Sequence, residues 1–171
     1  IYNLKLKRIF FIANIIVAGL SAIFVTSIAT FEIFFNYNHN NSINNVKTLI
    51  LIATFTFILA LMNEIIKDLR SMEGDMKYKI RTLPTVWGLI KTKEFLKWMS
   101  IITAFIVSII AITKFNSNLT ALLYAFIFLI GPLFLLNVLV YKAKKRIDYE
   151  RISKLNKFII FAGIMSLLFL I

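Results

Sequence analysis

Five long apolar stretches dictate what this chain can fold into. They run at about Ile9–Phe31, Val46–Ile66, Phe95–Thr113, Leu119–Tyr141 and Leu155–Ile171. A helix needs roughly 20 mostly apolar residues to cross the hydrocarbon core of a bilayer. The first four meet that length, and the fifth is short and stops at the chain end. Hydrophobic residues make up 60% of the sequence, against roughly 45–50% in soluble domains. With five Gly and two Pro there are few natural breaks. The expected fold class is all-α: a polytopic transmembrane helical bundle of five helices, in one domain over residues 1–171 with no internal repeat.

The polar residues give the spans a direction. Of the 20 Lys and Arg, only Lys47 and Lys114 fall in the first and third connections. The others cluster before the first span, between the second and third, and between the fourth and fifth. This alternation follows the positive-inside rule at every crossing. The N-terminal flank, the central loop and the fourth connection "KAKKRIDYERISK" are therefore expected in the cytoplasm. That connection is read chiefly as a topology determinant, with attraction of anionic lipid second. A net charge of +12 suggests nucleic acid only until its location is considered. These charges flank apolar spans instead of covering a soluble face. No Cys is present, so disulfides, thiolate metal sites and cysteine nucleophiles are excluded. The single His39 sits in the polar run "NYNHNNSINN" and is read as a loop residue. No signal peptide is visible. The chain opens on "IYNLKLKR" without Met and is read as a fragment.

Half of the eight Asp and Glu gather in "NEIIKDLRSMEGDMKYKIRTLPTVWG", residues 63–88: Glu64, Asp68, Glu73 and Asp75. On a helix continuing the second span over residues 62–76, at about 100° per residue, Glu64, Asp68, Ser71 and Asp75 fall on one face. Like charges at i,i+4 repel, so the stripe costs stability unless a cation lies among them. Ionisable groups so near the bilayer are expensive and usually functional. Carboxylate oxygens without His or Cys suit hard cations such as Mg2+. Mg2+ takes one or two protein carboxylates and completes its octahedron with water and phosphate oxygens. Lys67, Lys77, Lys79 and Arg81 lie nearby, and cations beside metal-binding carboxylates suit a diphosphate. Gly74 is expected to bend or end the helix, and Pro84 to start a new one after "RT". The competing reading is a solvated loop of ordinary ion pairs, such as Glu64 with Lys67.

The segment "KDLRSMEGDMKYKIRTLP" resembles the second aspartate-rich motif of the UbiA-type membrane prenyltransferases, which commonly reads K-D-x-x-D-x-E-G-D-x-x-x-G-x-x-T-L-P. Lys67, Asp68, Glu73, Gly74, Asp75, Thr82, Leu83 and Pro84 match, as do Gly88 downstream and the pair Asn63–Glu64 upstream. The opening "IYNLKLKRIFFIANIIVA" is similar to a second family segment through Tyr2, Leu6, Lys7, Arg8, Asn14, Val17 and Ala18. Two positions depart from the pattern: Ser71 replaces an Asp, and Lys79 replaces a Gly, altering a turn. The family's first motif, N-D-x-x-D-x-x-x-D, is absent. The resemblance implies the C-terminal five helices of a nine-helix fold, with activity requiring carboxylates beyond this chain and the chain alone inactive.

What the resemblance implies is Mg2+-dependent transfer of a polyprenyl group from its diphosphate to a lipid or aromatic acceptor, in the cell (inner) membrane, with the acidic motif on the cytoplasmic side. Asp68 and Asp75 would be catalytic metal ligands, with Glu64, Ser71 and Glu73 weaker ones. Lys67, Lys79 and Arg81 would contact the diphosphate. Lys7 and Arg8 would anchor the first helix or meet substrate. Asn14, inside an apolar span, is read first as an interhelical hydrogen bond and second as a substrate contact. Asn137 gets the same reading. The acceptor expected first is a geranylgeranylglyceryl phosphate, then a quinone or chlorophyll-type ring. A rival of another class is a non-enzymatic membrane protein, either a transporter segment or a helper subunit.

Overall fold

The computed structural model describes residues 11–35, 42–115 and 118–166. Their regular structure is helical, with no strand among the described residues. Helix α1 is Ile12–Phe35, α2 is Ser42–Lys77, α3 is Leu83–Trp87 and α4 is Leu89–Phe115. After α5 (Leu119–Tyr124) comes a π-helical segment, Ala125–Ile130, then α6 (Gly131–Lys142) and α7 (Arg146–Met165). Four spans among the described residues are long and apolar enough to cross a membrane: Ile12–Phe31, Leu49–Lys77, Leu89–Thr113 and Leu119–Lys142. The chain is a helical membrane bundle, as the apolar stretches imply. The fifth expected span falls on α7, and residues 167–171 lie outside the described ones.

Within lipid, apolar side chains gain little by leaving the tails, so close packing and interhelical hydrogen bonds hold helices together. The buried face of α1 is accordingly small: Ala18, Ala22, Val25 and Ala29. Its exposed face carries Leu20, Ile23, Phe24, Ile28 and Phe31. Helices α2 and α7 run antiparallel along a polar seam. Ser153 Oγ donates to Asn63 Oδ1 at 2.9 Å and Asn156 Nδ2 to the Leu59 carbonyl at 2.9 Å. Helices α4 and α6 are tied the same way, Ser100 Oγ to the Leu133 carbonyl at 2.9 Å and Asn137 Nδ2 to the Lys97 carbonyl at 3.2 Å.

Two irregularities have local causes. Pro132 lacks an N–H and crowds the preceding turn. The helix widens just before it, and the Gly131 N–H reaches back five residues to the Phe126 carbonyl. Between α3 and α4, Gly88 has φ 82°, in the left-handed region that glycine tolerates best.

The fourth connection is shorter than its charge run suggests. Helix α7 begins at Arg146, so the irregular part is residues 143–145. Asp148 caps this start, accepting the Lys144 and Lys145 backbone N–H groups on Oδ2, both at 2.9 Å. Those two bonds hold its carboxyl below the usual range against an opposing effect of burial, and Arg151 and Lys145 add attraction.

Candidate functional site

Helix α2 is unbroken from its apolar start to the end of the acidic stretch. Its 36 residues make it about 54 Å long at 1.5 Å per residue. A hydrocarbon core is only about 30 Å thick, so the polar end stands clear of the lipid tails. Gly74 lies inside the helix and does not end it; its carbonyl accepts the Tyr78 N–H at 3.0 Å.

The turn comes at Lys79, whose φ is 53°. The Ile80 N–H donates to the Asp75 carbonyl at 2.8 Å and the Lys79 N–H to the Met76 carbonyl at 3.1 Å. This pair of bonds is the Schellman closure, in which a left-handed residue caps the last carbonyls of a helix. The pattern's Gly thus stands where the backbone calls for one, and here a lysine takes the strained position. Past the turn, the Thr82 N–H donates to Thr85 Oγ1 at 2.7 Å, and Pro84 lies in the first turn of α3. The expected restart at Pro84 is observed.

The stripe on α2 forms as the periodicity implies, and its members have distinct partners. Asp68 is 9% exposed and accepts a hydrogen bond on Oδ2 from Asn14 Nδ2 of α1 at 2.7 Å. Asp75 is 4% exposed and accepts on Oδ2 from Ser71 Oγ at 2.7 Å. Glu64 instead pairs with Lys67 at 2.5 Å, one turn along the same helix. Glu73 is exposed and, two residues from Asp75 at about 100° each, projects from the opposite side of α2. Lys79 and Arg81 are exposed at and after the turn. Lys7 and Arg8 lie outside the described residues, as does His39.

The spacing limits what the aspartates can do. Asp68 and Asp75 stand seven positions apart on the helix, about 10.5 Å along the axis. Two ligands of one Mg2+ sit within roughly 4 Å of each other, given metal–oxygen distances near 2.1 Å. That separation of the backbone positions means both side chains would have to lean toward each other to share one ion, and Asp75 Oδ2 leans back as far as Ser71. Among the described residues no three acidic or His side chains gather into a metal-holding group. The donor set still fits Mg2+: hard oxygen ligands, one carboxylate for an ion, other sites left to water and phosphate.

The same end of the bundle holds contacts that the charge pattern did not reveal. Lys93 Nζ donates to the Ala143 carbonyl and lies 5.8 Å from the Tyr149 ring centroid. The Tyr149 hydroxyl and Asn156 Oδ1 are buried without a hydrogen-bond partner among the described residues. Burial, then the Asp148 charge, raises the Tyr149 pKa. These contacts place the central and fourth connections together, as the alternation of charge requires. A separate apolar cavity of about 120 Å3 is lined by Phe55, Thr103, Val107, Ala125, Leu129 and Gly163 among others. Phe55 lies about 20 Å along α2 from Asp68 and on another face. That cavity is no part of the acidic site.

Comparison with known proteins identifies the family. The sequence matches the UbiA prenyltransferase family over residues 1–167, and the chain belongs to that family. It is similar to the digeranylgeranylglyceryl phosphate synthase of Methanosphaera stadtmanae, 27% identical over 160 residues, covering 92% of this chain and 51% of that protein. The chain thus spans about half the length of this relative. No solved structure matches it significantly.

Proposed function

We propose that this member of the UbiA family carries the second acidic half-site of an integral-membrane prenyltransferase, in the C-terminal portion of a single transmembrane domain. The reaction class is transfer of a polyprenyl group from its diphosphate to an acceptor. The observation that carries the reading is the pair Asp68 and Asp75. They are buried on one face of a helix just beyond its apolar part, within the family's Lys-Asp…Glu-Gly-Asp…Thr-Leu-Pro segment.

Breaking the bond to a diphosphate puts charge on the leaving oxygens, and oriented opposite charge usually contributes most to lowering such a barrier. Asp68 and Asp75 would hold Mg2+, which would supply Lewis-acid stabilisation of that charge. Lys79 and Arg81 offset charge on the diphosphate from exposed positions. Lys67 neutralises Glu64, and its remaining N–H donors are available to the same anion. The apolar bundle keeps water from the reacting carbon. We assign the acceptor to a geranylgeranylglyceryl phosphate, supported by the name of the similar Methanosphaera protein. We place the acidic end in the cytoplasm, supported by the charge alternation.

The test uses the intact protein in nanodiscs with labelled geranylgeranyl diphosphate and Mg2+. Acceptor lipids are geranylgeranylglyceryl phosphate and, in parallel, aromatic quinone precursors. Asp68→Ala and Asp75→Ala are expected to lose transfer by at least about a hundredfold, the usual effect of removing a charge-stabilising group. Near-normal turnover in both folded variants would sink the reading. Product only from the aromatic acceptors would keep the reaction class and replace the acceptor.

A further inference from the structure

We propose that Asn14 and Ser71 are positioning residues, each holding one oxygen of an aspartate so that the carboxylate meets its ion already oriented. The proposal rests on the reading of Asp68 and Asp75 as metal-binding groups. Opposite a carboxylate, an amide must turn its N–H outward, because the carboxylate only accepts. The Asn14 Nδ2 to Asp68 Oδ2 distance of 2.7 Å lies at the short end for charge-assisted bonds. Ser71 has one hydroxyl hydrogen and two acceptors in reach. Asp75 Oδ2 is 2.7 Å away and the Asp68 carbonyl 3.4 Å, so the carboxylate takes it.

The chemistry of the two donors is informative. A lysine in either place would orient the carboxylate but oppose a divalent cation. An amide and a hydroxyl orient it and bring no net charge. Glu64 shows the contrast, since its partner is the Lys67 ammonium. Asn14 comes from another helix, so the angle of α1 against α2 is written into the Asp68 side chain. Ser71 comes from the same helix one turn earlier, so Asp75 is fixed locally. Ser71 replaces an acid in the family pattern. An acid there would repel Asp75 at i,i+4, and the hydroxyl turns that repulsion into a hydrogen bond. Fixing a ligand's rotamer before the ion arrives removes an ordering cost from binding. Partners that orient metal ligands typically contribute 10–100-fold in affinity.

The experiment reads metal affinity apart from turnover. Mn2+ is titrated into the intact protein with inorganic pyrophosphate present, and free Mn2+ is followed by electron paramagnetic resonance. Asn14→Leu and Ser71→Ala are expected to weaken binding 10–100-fold, whereas Ser71→Thr, which keeps the hydroxyl, stays close to wild type. Wild-type affinity in both Asn14→Leu and Ser71→Ala, alongside loss in Asp68→Ala and Asp75→Ala, refutes the positioning role alone. Unchanged affinity in the two Asp variants as well refutes the metal reading beneath it. If Asn14→Leu does not fold, the Ser71 pair decides for Asp75: equal affinity in Ser71→Ala and Ser71→Thr overturns the proposal.

Discussion

Replacing Lys79 by glycine should strengthen the end of α2, although it removes a charge from a basic loop. Lys79 holds φ 53°, and a left-handed conformation costs a side-chain-bearing residue about 1–2 kcal/mol. Glycine avoids this but gives the unfolded chain more freedom, worth about 0.4–1 kcal/mol in the other direction. The lysine also lies beside the negative end of the helix dipole, an attraction of about 0.3–1 kcal/mol. The clean comparison is therefore Lys79→Gly with Lys79→Ala, which lose the same charge. The glycine variant should be more stable by roughly 0.5–1 kcal/mol. At an ordinary helical site the order is the reverse, with glycine worse than alanine by about 0.5–1 kcal/mol. Equilibrium unfolding in mixed micelles gives the global value. Hydrogen exchange at the Ile80 amide, bonded to the Asp75 carbonyl, gives the local one. An alanine variant equal to or better than glycine in both measurements would refute the left-handed assignment.

Three more outcomes are expected. Asn156→Leu removes the donor to the Leu59 carbonyl in a fully buried place and should destabilise the bundle by about 1–3 kcal/mol; unchanged unfolding would show that the α2–α7 seam is dispensable. The Asp148 carboxyl is held below its ordinary value. Its contribution to stability is thus present above the unfolded pKa near 3.9 and lost as pH falls through the folded one. Asp148→Asn should flatten that acid limb, and an identical pH profile in the variant would contradict the capping role. Single cysteines in this Cys-free chain report topology: one at Asn40 should label from outside and one at Ile147 from the cytoplasm, and the opposite pattern would invert the bundle.

The spans and the acidic stripe were legible because both rest on simple periodicities. An apolar run long enough to cross a membrane has few other fates, and Glu64, Asp68, Ser71 and Asp75 share a face on any straight helix. Asn14 and Asn137 were legible for a related reason: an amide inside an apolar helix needs a partner, and another helix is the nearest source. The start of α7 was hidden by charge. Arg146, Arg151, Lys154 and Lys157 made the segment look like a loop, yet Tyr149, Ile152, Asn156 and Ile159 recur at helical spacing and are buried. The helix end was misplaced because Gly74 is a weak stop on its own. The stronger signal was the pattern's later glycine, which marks a left-handed position even when lysine fills it. The pairing of Glu64 with Lys67 was legible from their spacing on one helix, whereas Asn14 as the partner of Asp68 was not, since it depends on which helix lies against α2.

A continuous α2 also sets the depth of the chemistry. Met62 is the last residue of the apolar run and is fully buried. Asp68 lies about 9 Å beyond it along the axis and Asp75 about 20 Å. Two ligands on a flexible loop would drift in depth, whereas two on one rigid helix keep a fixed offset from the lipid tails. An amphiphile with a diphosphate head and an apolar tail would lie across that offset, its head level with Asp68 and its tail back toward Met62. Asp75, farther out, would then meet the outer oxygens of the diphosphate with Lys79 and Arg81. On the proposed reading, an ion at either aspartate would need further oxygen ligands. The diphosphate of the proposed substrate would be one such source.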